Sequence, residues 1–369
     1  MKIFLFLNVF ISWLICFRNS EYKNAKKKYI AYNCIILTLV SCLRGTGVGS
    51  DTAVYKNIYD VNAYETLKDL LDMFFNRYFN NQGTADVGYW LFMKLIHVFS
   101  DNFNVFLFFC AICFFIPLYY FLQKYSTHKI QLLFVFVLYN SLFYPIAMSG
   151  TRKEIALGMS IMFLYFYNEK KYIASVACFL FGFFIHMTSL IILIIPILNI
   201  LYVKKLIKII HIYTFTLIPF VILFCGKIIL FMAQYVKNEH YEAYGLSEIR
   251  GGGITFIILL ELVSFFCLFV FWNEEIDNNK FIDKYYATIP CFSFLGPLIY
   301  HNGSMIRLSQ YFHIYILLLI PYALDLLFKN DKAKKELSYH LLILILIALS
   351  FKGDSESGSI GKYYFFWQQ

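Results

Sequence analysis

Long apolar blocks recur from one end of the chain to the other, separated by short polar breaks that carry most of its charge. About 20 apolar residues make a helical bilayer span, and inside hydrocarbon every backbone polar group must be bonded within the segment. The pattern predicts spans near 3–17, 29–43, 105–122, 130–148, 154–168, 172–186, 188–203, 209–224, 254–272, 287–300, 308–328 and 338–351. The expected fold class is therefore an all-α polytopic integral membrane protein of about 12 transmembrane helices, with interfacial or re-entrant helices in its outer loops.

Residues 87–99 are short for a span and contain Lys94 and His97. The loops on either side also require an odd number of crossings between them, so a re-entrant or interfacial helix is expected here. If 87–99 does span, one of the downstream loops is misplaced. In outer loop 44–86, the stretch YETLKDLLDMFFNRYF sets apolar residues at helical spacing with acids and Arg77 opposite, an amphipathic helix lying on the membrane. Outer loop 225–253 mixes an amphipathic helix with a polar end, and its triple glycine suits a close turn before a helix. The short segments around His186 read as a tilted or broken helical pair. No hydrophilic stretch is long enough to bury a core of its own, so residues 1–369 read as one integral domain.

Composition agrees, with 60% hydrophobic and only 15% charged residues among 369. Residues 3–17 could form a signal-peptide core, but no small-residue cleavage pattern follows them. Instead comes RNSEYKNAKKK, a basic loop that holds the first helix in place with its N-terminus outside. A net charge of +9 would suggest nucleic acid in a soluble protein. Here the alternate loops assigned to the inside carry Lys and Arg at roughly three times the density of those assigned outside, so the charge sets orientation and no nucleic-acid partner is expected. Both termini fall outside. Nine cysteines lie in or beside apolar segments, and Cys110 and Cys113, lacking His or Cys partners, read as packing residues.

This orientation puts Arg44, Asp51, Asp86, Arg152, His186, Arg250 and Arg307 on one outer face. Ionisable groups at membrane depth are costly unless they face protein or water, so such residues are site candidates. The stretch 139–190 is central, with one break carrying Arg152 and Lys153 and a second carrying His186, Thr188 and Ser189. Guanidinium groups make bidentate, charge-assisted bonds to phosphate and do not lose their proton, so these arginines suit a diphosphate. A simple anchoring role at the interface is the alternative for each. His186 could act as a general base, or be a hydrogen-bonded packing residue. Asp51 or Asp86 could take the same role or hold an arginine. Asp51 has no second acid nearby of the kind a metal-dependent glycosyltransferase offers, so neither metal nor cofactor is expected. The glycines of LRGTGVGSDTAVY lack the Gly-Lys-Ser/Thr ending of a phosphate loop. Glu261, deep in its span, could be a proton or structural site.

Five motifs, in order along residues 44–312, resemble the EpsG family of polysaccharide polymerases, similar in role to the Wzy O-antigen polymerases. They are Arg44-Gly-Thr-Gly-Val-Gly-Ser-Asp51 with Tyr55, Asp86-Val-Gly-Tyr89, Arg152 with Ile155-Ala156, Phe184-Ile185-His186-Met187-Thr188-Ser189, and Arg307-Leu-Ser-Gln-Tyr311-Phe312. The resemblance implies a bacterial inner-membrane enzyme that acts at the outer leaflet. It would transfer a glycan from undecaprenyl diphosphate to a sugar hydroxyl on another lipid-linked repeat unit, working among membrane lipids and with a chain-length regulator as a further candidate partner. By the same resemblance Arg152 and Arg307 stabilise the leaving diphosphate, and His186, or Asp51 in its place, takes the acceptor proton. Arg44, Arg250 and Tyr311 position diphosphate or sugar, with Asp86, Tyr89 and Lys153 as further substrate-side candidates. Lys153 directly after Arg152 leaves open which cation meets phosphate. A lipid-linked oligosaccharide flippase and a membrane acyltransferase are the competing readings.

Overall fold

The computed structural model describes residues 1–369 apart from 19–20, 81–85, 201–203, 237–238, 247–252, 273–280, 353–362 and 369. The described residues are helical, with a single isolated β-bridge between Arg44 and Phe365. They form two compact units, one of Met1–Met187 with Asn330–Gln369, the other of Thr188–Lys329.

The first unit begins with α1 (Lys2–Phe17) and α2 (Tyr22–Cys42), packed as neighbours. Three short helices then build the predicted outer loop: α3 (Thr52–Asn62), α4 (Leu67–Tyr78) and α5 (Val87–His97). Helix α4 falls on the stretch predicted to be amphipathic, and Thr66 and Asp69 close its N-terminus in a reciprocal capping box. With 11 residues, α5 is only about 16 Å long, short of a span. Its polar residues hold its neighbour, since Lys94 donates to the Ala63 carbonyl at 2.9 Å and the His97 ring bridges the Tyr59 carbonyl and Asp101. Long helices follow: α6 (Phe103–Tyr125), α7 (Lys129–Leu138, continued through a π turn at Tyr139–Phe143 to Ala147), α8 (Thr151–Asn168) and α9 (Tyr172–Ile185). Helix α8 packs between α6 and α9, and the last helix, Lys332–Lys352, packs on α7. The aromatic tail pairs with the loop after α2, Gly45 donating to the Tyr364 carbonyl and Phe366 to the Leu43 carbonyl.

One buried cluster ties the short helices α3 and α5 to the long ones. It joins Tyr55 and Tyr59 of α3, Tyr89, Met93 and Ile96 of α5, Phe103 and Phe106 of α6, Ile155 of α8 and Ile185 of α9. Burial of several large side chains, at about 2 kcal/mol each, makes this the anchor of the segment between α2 and α6.

In the second unit, the helices Lys204–Thr216 and Ile218–Val236 meet at a bend of 75°. Gly253, last of the triple glycine, has φ of 101° and starts the helix Ile254–Phe271, as a close turn before a helix requires. Glu261 on that helix accepts from the Ser293 hydroxyl at 2.6 Å. Tyr311 is fully buried on Ile306–His313, its hydroxyl 3.2 Å from that of Thr188.

Three described helices, Phe103–Tyr125, Lys129–Ala147 and Ile254–Phe271, are long and apolar enough to cross a membrane, or up to five if two bent pairs each count as one span. Several other predicted spans fall on apolar helices of 10–17 residues. Helices α2 and Lys332–Lys352 are long, but each opens with a lysine-rich turn that belongs in the headgroup region. Length and apolar character thus support an all-helical membrane protein with fewer clear spans than the expected twelve.

Gly88 permits the contact on which the site depends. A Cβ there would lie 2.3 Å from the Phe184 carbonyl oxygen, so α5 and the end of α9 meet backbone to backbone. Gly88→Ala is expected to cost about 1–3 kcal/mol by overpacking and to separate Asp86 from His186. Thermal unfolding of the purified protein with an activity assay checks this, and an active variant of unchanged stability would contradict the packing.

Candidate functional site

Each polar residue of the site is a near neighbour of an anchored apolar one. Asp86 precedes α5, three residues before buried Tyr89. Arg152 lies in the first turn of α8, ahead of buried Ile155, and His186 directly follows buried Ile185. At His186 the chain leaves the helix for extended backbone, φ −155° and ψ 108°, which turns the imidazole toward α5.

The three side chains meet at a single oxygen. Asp86 Oδ2 accepts from His186 Nδ1 at 2.9 Å and from Arg152 Nη1 at 3.0 Å, and the Met187 backbone N–H also donates to this carboxylate. An ionised carboxylate only accepts, so the proton of the neutral imidazole is on Nδ1 and the lone pair on Nε2. Burial pushes the Asp86 carboxyl up, but His186, Arg152 and the Met187 amide outweigh it and hold the group below its ordinary value. Burial likewise opposes the charge on Arg152, yet Tyr55 and Asp86 beside it raise its pKa, so it remains a cation.

Two tyrosines form the seat of Arg152. Its guanidinium lies 5.6 Å from the Tyr55 ring centroid and 5.8 Å from that of Tyr89, and the two rings meet edge to face. The Tyr89 hydroxyl is 2.8 Å from Thr151 Oγ1, which fixes the start of α8 on α5. The group is open on one side, with 32% of the Arg152 side chain exposed against 16% for His186 and 15% for Asp86.

The remaining candidates are placed differently. Lys153 is buried and paired with Glu154 at 2.7 Å, so Arg152 is the one of the adjacent cations that joins the Asp86–His186 group. Tyr89 is itself buried, its ring meeting Arg152, Tyr55 and Phe106 and its hydroxyl Thr151. Arg44 is also buried, donating to the Ser41 carbonyl at 3.0 Å and touching Met148 Sδ, which fastens the loop after α2 to the end of α7. A cavity of about 30 Å³ adjoins it, lined in part by Ser41, Thr151 and Glu154. Asp51 stands at the N-terminus of α3, one turn before Tyr55, and accepts from Ser50 Oγ at 2.9 Å. The carboxylate that meets both His186 and Arg152 is Asp86. Arg307, half-buried in the first turn of Ile306–His313, and Tyr311 belong to the second unit. Arg250 lies outside the described residues. Among the described residues, no group of three His, Cys, Asp or Glu is gathered to hold a metal ion, and no disulfide joins the cysteines. The platform role of Tyr55, four residues after Asp51, and the backbone approach at Gly88 emerge only from the fold.

The lowered pKa of Asp86 makes its contribution to stability fully present above the ordinary value of 3.8, and that contribution is lost as pH falls through the lowered folded value. Asp86→Asn is expected to cost on the order of 1–3 kcal/mol at neutral pH and to flatten this acid-side loss. Melting temperatures from about pH 7 to about pH 3 check it, and an acid slope kept in full by the variant would contradict the pairing.

Comparison with curated proteins and with solved structures gives no match. Comparison with protein families gives one spanning residues 27–365, which includes all the motifs above, the whole second unit and most of the first. The chain belongs to the EpsG family.

Proposed function

We propose that the protein is a polysaccharide polymerase that transfers a glycan from undecaprenyl diphosphate to a lipid-linked repeat unit at the outer leaflet of the bacterial inner membrane, with both termini outside. The EpsG family suggests a polymerase-type membrane protein. The observation that carries the chemistry is one carboxylate oxygen binding an imidazole and a guanidinium at the same time.

In this reaction an acceptor sugar hydroxyl attacks the anomeric carbon of the donor glycan. The new C–O glycosidic bond forms, the C–O bond to the diphosphate breaks, and the lipid diphosphate leaves with the electron pair. His186 Nε2 takes the hydroxyl proton, its ring held in the correct tautomer by Asp86. Arg152 supplies fixed positive charge where negative charge develops on the leaving group, the electrostatic effect that is commonly the largest in catalysis. Tyr55 and Tyr89 keep the guanidinium in place, so little reorganisation accompanies the reaction.

His186→Ala is expected to lower polymerisation by about 10²–10⁴-fold and Arg152→Ala by about 10²–10³-fold. Arg152→Lys rescues incompletely, because an ammonium lacks the planar fork. Outer-leaflet labelling of lipid-linked sugar should show single repeat units accumulating outside in these variants. Accumulation inside would identify a flippase, and normal polymer lacking acyl groups would identify an acyltransferase.

A further inference from the structure

Arg44 follows α2 and is only 4% exposed. Its Nη1 donates to the Ser41 carbonyl and to Met148 Sδ, whereas Nε and Nη2 are buried with no hydrogen-bond partner among the described residues. Burial lowers the pKa of Arg44 from its ordinary value, but a guanidinium keeps its proton near neutral pH, so both groups remain N–H donors. A buried donor without an acceptor is costly, most of all on a charged group. The cavity of about 30 Å³ beside Arg44 can hold that acceptor. Arg44, Ser41, Thr151 and Glu154 line it together with apolar positions of α6 such as Leu107 and Phe114. Such a volume takes about two water molecules, and its walls carry the polar groups a water needs. A phosphate group does not fit. The Thr151 hydroxyl is already bonded to that of Tyr89 at 2.8 Å. A hydroxyl has one hydrogen and two lone pairs, so Thr151 Oγ1 keeps an acceptor position whichever of the two donates.

We propose that this cavity is a buried water site in which ordered waters link the Arg44 guanidinium to Thr151, making Arg44 a positioning residue for Arg152. The Arg44 N–H groups donate to water, and water donates to Thr151 Oγ1. Thr151 immediately precedes Arg152, and its partner Tyr89 is one of the two rings that seat the Arg152 guanidinium. The waters thus tie the residue before Arg152 to the loop after α2, as the Tyr89 bond ties it to α5. Bridging waters hold two polar groups nearly as well as a direct bond. The positioning role rests on the polymerase function proposed above, whereas the water site does not. The alternative roles of Arg44 are direct contact with diphosphate and packing of its loop alone.

Cryo-electron microscopy of the full-length protein with a bound antibody fragment, at a resolution that shows ordered water, tests the site itself. Water bonded to Arg44 Nε or Nη2 and to Thr151 Oγ1, directly or through a second water, is expected, and a dry cavity overturns the site. Polymerisation of a lipid-linked repeat unit extracted from the producing cells tests the role. Arg44→Met, which keeps the length of the side chain without its N–H groups, is expected to lower kcat about ten-fold or more and to change the donor KM much less. Thr151→Val is expected to lower kcat as well, and the double variant to be no worse than the poorer single one. In Arg44→Met, a raised KM with unchanged kcat assigns direct substrate contact, and a lower melting temperature with both constants unchanged assigns packing alone. Either result overturns the positioning role, as do losses that multiply in the double variant. Should Arg44→Met fail to fold, an unchanged kcat in Thr151→Val overturns it alone. A wild type that does not polymerise overturns the proposed function and the role of Arg44 with it, while the water site stands or falls by the map.

Discussion

The site depends on one oxygen atom, Asp86 Oδ2, shared by His186 from α9 and Arg152 from α8. Neither the imidazole nor the guanidinium has its orientation set by its own helix. Asp86 bonds both, Tyr55 and Tyr89 also seat the guanidinium, and the Met187 amide ties the carboxylate to the residue after His186. A half-buried carboxylate stays charged here only because cationic and N–H partners outweigh the cost of leaving water. Removing any one member therefore changes the other two.

The apolar cluster beneath makes this arrangement tenable. Tyr55, Tyr89, Ile155 and Ile185 belong to one packed group, and Asp86, Arg152 and His186 are each within three residues of one of its members. The cluster aligns α5, α8 and α9, next to which the three residues lie, and the polar network then needs only short extensions from it. The segment between α2 and α6 is thus part of the scaffold, held to the long helices by side-chain burial, by the Lys94 and His97 bonds, and by a glycine that lets two backbones touch. Reactive groups on rigid elements keep their geometry better than groups on free loops.

Much of this was legible in the sequence, for identifiable reasons. Hydropathy marked the long helices, and the pairing of Thr66 with Asp69 ahead of an amphipathic stretch matches the α4 start. The scarcity of charge in apolar surroundings pointed to Arg152 and His186, and the family resemblance to Asp86. What pattern could not supply was which partners meet. Asp51 and Asp86 look alike as acids in one outer loop, and only the close approach at Gly88 selects Asp86 for His186. Arg152 and Lys153 are adjacent cations, but successive helical residues point in different directions, so one faces the Asp86 group and the other is buried with Glu154. Arg44 appears in a motif with the chemistry, and its buried guanidinium donates to the Ser41 carbonyl and meets Met148 Sδ. Span number was least legible, because lysine-rich helix starts and short apolar helices both blur the 20-residue signal.

The central claim, that Asp86 fixes the neutral His186 ring with its proton on Nδ1 and Nε2 unprotonated, is open to direct observation. Nitrogen-15 NMR of histidine-labelled full-length protein, with His186 identified by its loss in a His186→Asn variant, reports the tautomer. The account predicts a protonated Nδ1 that loses this preference when Asp86 is replaced by asparagine. A His186 protonated on Nε2, or one indifferent to Asp86, would contradict it.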